Sequence, residues 1–197
     1  MLLQVFALVG YGGFLLAIFG WQTLRTKRET GESRWREPIS PTDAVGEAIC
    51  AVGCFLSLVA PLLAVAGVVR PLRLDQPLLQ GVASVVILAL GTGLARWAQR
   101  HLGEEWRAGV ESSASLVTGG PFARVRNPFY LGCFLASSSV VVAIPSAVAL
   151  AGVALHVAAA EIIVRGVEEP LLAQAHAAAF RQYRQRTGRF LPRLGRR

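Results

Sequence analysis

"LGCFLASSSVVVAIPSAVALAGVALHVAAAEIIV", residues 131–164, is an almost unbroken apolar run of 34 residues. A helix needs only roughly 20 residues to cross a hydrocarbon core of about 30 Å. One crossing cannot absorb this run. Near its middle stands "IPS", Ile144 to Ser146, where proline removes an amide donor in a solvent that offers no replacement. The run therefore reads as two helices joined by a tight turn. Its first arm, ending at Ala143, is short for a full crossing and is expected to tilt or dip into the membrane.

Working outward, three further apolar runs precede the hairpin, at residues 2–24, 44–69 and 77–98. Together they predict an all-α integral membrane protein with about five transmembrane helices. Composition agrees, with 53% apolar and 16% charged residues, against about a quarter charged in soluble domains. The first run lacks a basic leader and a small-x-small cleavage site, so it reads as a retained anchor rather than a signal peptide. "SPTD", residues 40–43, reads as the start of the second membrane helix, with Pro41 in its first turn and Asp43 at its positive end. No internal repeat suggests a duplicated transporter.

The net charge of +8 points to the membrane rather than to nucleic acid, because no base-reading motif accompanies it. With the N-terminus outside, 18 of the 20 Lys and Arg residues fall in cytoplasmic segments, leaving Arg70 and Arg73 outside. That asymmetry follows the positive-inside rule and predicts a cytoplasmic C-terminus. Nineteen arginines against the single lysine Lys27 suggest a bacterial plasma membrane. Cys50 and Cys54 lie one helical turn apart, but no His or further Cys is near them in sequence. With Cys133 they read as small packing residues, with no metal and no disulfide framework.

From Arg96 the polar residues become specific. "RWAQRHLGEEWRAGVESSASLVTGGPFARVRNPFY", residues 96–130, is too polar to span lipid, yet Trp97, Trp106, Phe122 and Tyr130 suit a membrane interface. Beyond the hairpin, "HVAAAEIIVRGVEEPLL" places Glu161, Arg165 and Glu168 on one stripe at about 100° per residue. Ionisable groups at that depth require partners or a wet cavity. Glu161 with Arg165 also satisfies a plain i,i+4 ion pair. The adjacent acids Glu168 and Glu169 oppose the helix dipole at a C-terminus and require a cation, from arginine or from a ligand. His101, His156 and His176 are scattered and read as non-catalytic. After Pro170, residues 171–186 are helical by composition, and Gly188 stops this C-terminal cytoplasmic cap helix before the basic end "RFLPRLGRR".

The ordered set "LVTGGPF", "RNPFYLG", a hairpin, "EEPLL", "AFRQY" and "RFLP", over residues 97–192, resembles the isoprenylcysteine carboxyl methyltransferase family. These are integral-membrane methyltransferases that include phospholipid N-methyltransferase-like members. The resemblance implies S-adenosylmethionine as cofactor, with contacts at Ser115, Leu116, Val117, Phe122, Asn127, Pro128, Phe129, Tyr130 and Glu168. It also implies that Arg165 and Glu168 serve catalysis, Arg165 beside the acceptor. A single membrane domain then divides into three N-terminal helices, residues 1–98, and a cofactor-binding half, residues 99–197. Such a cofactor brings its own electrophile, leaving the protein to align an in-line attack and exclude water. Arg124, Arg126 or Arg165 could hold a carboxylate.

The chain departs from the family pattern where Asn127 replaces histidine, Phe122 replaces tyrosine, His176-Ala177 replaces Phe-Gly, and Phe180 replaces tyrosine. Asparagine keeps a donor and an acceptor but cannot serve as a base at neutral pH. The expected activity is methyl transfer to a lipid-like or small apolar acceptor drawn from the membrane: an isoprenylcysteine-type carboxylate, a phospholipid amine or a thiol. Two alternatives stand beside it. One is an NADPH-dependent reductase of sterol-reductase-like architecture, which Glu168 and Glu169 disfavour; the other is a non-catalytic interaction protein in which the polar stripe only joins helices.

Overall fold

The computed structural model describes residues 2–20, 23–24, 28, 38–72, 75–103 and 115–193; Arg73 and Trp106, named above, lie outside them. Helix α1, Leu2–Leu15, runs on through a wider π turn, Leu16–Gly20. Then follow α2, Pro41–Val65, and α3, Pro77–Leu102. The hairpin is α4, Pro128–Ala143, and α5, Ala147–Ile163. A π turn, Val164–Glu168, carries α5 directly into α6, Glu169–Arg186. Among the described residues, four helical stretches are long and apolar enough to cross a membrane, and α4 is a shorter apolar helix, as expected of its broken run.

Local chemistry sets the boundaries. Ser40 Oγ accepts the Asp43 amide at 3.1 Å while Asp43 Oδ2 accepts the Ile39 amide at 3.2 Å, so both orphan donors at the α2 entrance are satisfied. At the hairpin, Ile144 and Pro145 end α4, and Ser146 restarts the chain by accepting the Ala149 amide at 3.3 Å. Pro170 sits in the first turn of α6, as expected. The helix follows the π turn without a break, and a departure from helical geometry comes at His176 and Ala177. This bend falls where the family pattern carries Phe-Gly, and glycine suits such a departure.

Two helix seams organise the bundle. Gly91 and Ala95 of α3 face Gly132 and Ala136 of α4 so closely that a Cβ on Gly132 would stand 2.7 Å from the Ala95 nitrogen and the Gly91 oxygen. Small residues four apart on both helices make that approach possible, the packing that substitutes for hydrophobic association in lipid. The second seam joins α2 to α5, where a Cβ on Gly53 would meet the Gly152 oxygen at 3.1 Å. Val52, Phe55, Leu62, Leu78, Leu90 and Leu150 point outward and are exposed, as a lipid-facing surface requires.

Polar cross-links mark one end. Gln80 Nε2 donates to the Val142 carbonyl at 2.8 Å, Ser84 Oγ to the Ser139 carbonyl at 2.9 Å, and the Leu72 amide to the Pro145 carbonyl at 2.9 Å. These bonds bring the α2–α3 connection against the hairpin turn. The opposite end carries the segment before α4, the π turn and α6, and there the conspicuous polar motifs collect.

Candidate active site

Residues 120–127 lead into α4 through a short 3-10 turn, Gly120–Ala123. Gly120 has φ +54°, and a Cβ there would fall 2.7 Å from the His101 ring, so glycine is required twice over. His101 instead stacks on Phe122, with ring centroids 6.4 Å apart.

The chain after α6 returns alongside this segment. The Arg126 amide donates to the Gly188 carbonyl at 2.8 Å and the Asn127 amide to the Arg189 carbonyl at 3.0 Å, beside a parallel bridge between Val125 and Gly188. Asn127 Nδ2 reaches the same Arg189 carbonyl at 3.3 Å. The Tyr183 hydroxyl closes the joint by donating to the Phe122 carbonyl at 2.7 Å.

A charged clamp locks the returning tail. Arg126 Nε and Arg189 Nε each donate to Glu169 Oε1 at 3.0 Å, and Arg189 Nη2 donates to Oε2 at 2.7 Å. Burial pushes the Glu169 carboxyl upward, but its hydrogen bonds and charge contacts with Arg189 and Arg126 outweigh this and hold it below the usual carboxylate range. Burial lowers the Arg126 guanidinium despite its Glu169 partner, and the Glu169 hydrogen bond raises that of Arg189. Burial also pushes the Tyr183 phenol up to about 12. Arg126 further donates to the Thr187 carbonyl at 2.5 Å. It thus belongs to the clamp.

Glu168 has a different partner although it adjoins Glu169. Its Oε1 accepts the Tyr130 hydroxyl at 2.9 Å, which ties the π turn to α4. Phe190 stands edge-on to Tyr130, with centroids 6.4 Å apart, and 5.3 Å from Phe134. Phe129, beside Tyr130, packs edge-on against Phe19 of the α1 π turn at 6.2 Å. Glu168 is thus bonded to a tyrosine that itself belongs to an aromatic set with Phe190 and Phe134.

The other residues from the sequence pattern lie round this set or apart from it. Leu116 and Val117 pack on the core that contains Phe122 and Phe129. Pro128 is buried at the first turn of α4, and Ser115 is exposed where the described segment begins. Arg165 lies on the outside, its side chain 62% exposed and ion-paired with Glu161, while Arg189 approaches Glu161 at 3.7 Å. The uniform helical wheel put Glu161, Arg165 and Glu168 on one stripe, but the intervening π turn bonds i to i+5 and rephases the helix. Arg165 stays with Glu161, and Glu168 turns to α4.

Sequence reasoning missed Glu169 and Arg189 as partners, although it required a cation for the adjacent acids. It also missed the surroundings of His156. Scattered from the other histidines in sequence, that residue has its Nε2 3.2 Å from Cys54 Sγ, and Cys50 completes a close group. Only the one-turn spacing of the two cysteines hinted at this.

No curated protein matches the chain. The sequence pattern of the phospholipid methyltransferase family matches residues 79–179, from the start of α3 through the hairpin, the Tyr130–Glu168 contact and most of α6. That match covers more than half of the 197 residues, and it includes Tyr130, Phe134 and Glu168. By this extent of matching sequence, carried on an all-helical membrane architecture, the chain belongs to the phospholipid methyltransferase family of membrane methyltransferases.

Proposed function

We propose that this membrane methyltransferase uses S-adenosylmethionine and binds it at the Glu168–Tyr130 set. The observation that carries the reading is the carboxylate of Glu168, bonded to Tyr130, whose ring in turn contacts Phe129 and Phe190. A carboxylate among aromatic faces suits a ligand that bears both an ammonium and a sulfonium. The cofactor supplies an electrophilic methyl group. Glu168 holds its ammonium or a ribose hydroxyl, Tyr130 fixes the carboxylate, and the phenylalanines exclude water. Ser115, Leu116, Val117, Phe122, Asn127, Pro128 and Phe129 are assigned to the remaining wall.

Asn127 cannot take a proton, and its amide group already donates to the Arg189 carbonyl. The acceptor must therefore arrive with its lone pair available, as a carboxylate, a thiolate or a neutral amine on a lipid-like or small apolar body. Arg165, exposed within the π turn, is assigned to meet the acceptor's anionic group. Clustering of the arginines of residues 165–193 at the end opposite Arg70 supports a cytoplasmic site, and the arginine-rich composition supports a bacterial plasma membrane.

Calorimetric titration of S-adenosylmethionine into detergent-purified protein tests the assignment. Wild type should bind, and Glu168→Ala should bind roughly 10-fold or more weakly, the value of a hydrogen bond to a charged group. Equal affinity in both would remove Glu168 from the site. Binding of NADPH in place of S-adenosylmethionine would establish the reductase alternative; a fold that neither ligand stabilises against heat would favour a non-catalytic role. Mass spectrometry of lipid and thiol extracts incubated with labelled cofactor would then identify the acceptor.

A further inference from the structure

We propose that Cys50, Cys54 and His156 form a membrane-embedded site for a zinc-class cation, argued independently of the cofactor assignment. The three side chains come from the two helices of the α2–α5 seam, and one potential ligand atom from each lies within 4.8 Å of the others. Cys54 Sγ and His156 Nε2 are 3.2 Å apart. Metal–sulfur and metal–nitrogen bonds of roughly 2.3 and 2.0 Å around a tetrahedral ion bring neighbouring ligand atoms to such separations. Small adjustments of side chains would therefore close the site.

The spacing has a simple origin. Cys50 and Cys54 are one turn apart on α2 and share a face. That face meets α5 where Gly53 and Gly152 allow the backbones to touch, and a Cβ on Gly53 would lie 3.2 Å from the His156 backbone nitrogen. Glycine packing thus carries the imidazole to the thiols. His156 is buried and its Nδ1 has no hydrogen-bond partner among the described residues, so a Cys–His hydrogen bond leaves half of the ring unsatisfied.

Charge accounting favours a divalent ion at this depth. Each thiol gives up its proton to water on binding, and two thiolates with one M²⁺ and a neutral imidazole make a centre of zero net charge. Such a centre avoids the penalty of isolated charge in lipid. Two sulfurs and one imidazole suit zinc and soft monovalent copper better than magnesium or calcium, and three protein ligands leave a fourth position open. Tyr11, fully buried, stands close to Cys54.

Purified full-length protein in detergent would be equilibrated with ZnCl2, desalted and measured for metal by mass spectrometry. Wild type and Cys133→Ser should each retain about one equivalent, whereas Cys54→Ser and His156→Ala should lose at least 10-fold in retention. Co²⁺ in the wild-type protein should give a sulfur-to-cobalt charge-transfer band, and Zn²⁺ should protect Cys50 and Cys54 from alkylation. These last two readouts need no variant and stand if the variants fail to fold. Wild type without retained zinc, without the cobalt band or with unprotected cysteines would overturn the site and leave a packing contact.

Discussion

The α3–α4 seam and the clamp around Glu169 hold the same chain by opposite means. Along the seam, Gly91, Ala95, Gly132 and Ala136 bring two backbones together with almost no side chain between them. At the clamp, Arg126 and Arg189 extend long side chains onto one buried carboxylate. The difference follows the surroundings. Inside lipid, apolar side chains gain nothing by leaving their solvent, so close van der Waals contact between small residues makes the joint. Where the chain leaves the apolar helices, charge-assisted hydrogen bonds can fasten irregular backbone that offers no helical face.

The largest effect should come from filling the seam. Gly132→Leu places a branched side chain where even a Cβ is 2.7 Å from backbone, so α3 and α4 must separate. Size-exclusion chromatography of a fluorescent fusion should show loss of the monodisperse peak. A normal peak and melting temperature would show that the seam is looser than these distances require.

Breaking the clamp should cost less but remain severe. Glu169→Ala strands Arg126 and Arg189, and removing one partner of a buried pair typically costs about 3–5 kcal/mol. Thermal unfolding in detergent should show a large fall in Tm. The same carboxyl gives a pH signature. Because its folded pKa is depressed, its contribution is fully present above the ordinary carboxylate range and is lost as pH falls through the depressed value. Wild-type stability should thus drop on the acid side, and Glu169→Gln should flatten that drop; parallel profiles would exclude Glu169 as its source.

Smaller changes test how finely the clamp is built. Tyr183→Phe removes the donor to the buried Phe122 carbonyl and should cost about 1–2 kcal/mol, read as a modest Tm decrease. Arg165→Ala should change stability by less than about 1 kcal/mol, because its pair with Glu161 is exposed. A loss as great as that of Glu169→Ala would make Arg165 a structural member of the clamp.

Much of this was legible in the residues. "SPTD" and "IPS" marked their helix boundaries because caps and proline act within a few residues. The ordered motifs located the polar end, since the segments before α4 and after α6 are the ones that lipid cannot accept. Glu168 and Glu169 were harder to separate. Both demanded partners, but the π turn alters the phase in which each side chain leaves the helix. Arg126 and Arg165 were equal candidates to hold a carboxylate, and only the returning tail distinguishes them by fastening Arg126 to Glu169.

By itself, the sequence determined the membrane solvent, the five apolar helices, their main breaks and the order of the polar motifs. Each of these is a property of composition or of short-range backbone chemistry. Tertiary structure alone decided that Glu168 meets Tyr130, that Glu169 gathers Arg126 and Arg189, and that His156 reaches Cys54. Periodicity orients a side chain about its own helix. Which group answers it depends on how closely glycines let two helices approach and where a π turn resets the phase.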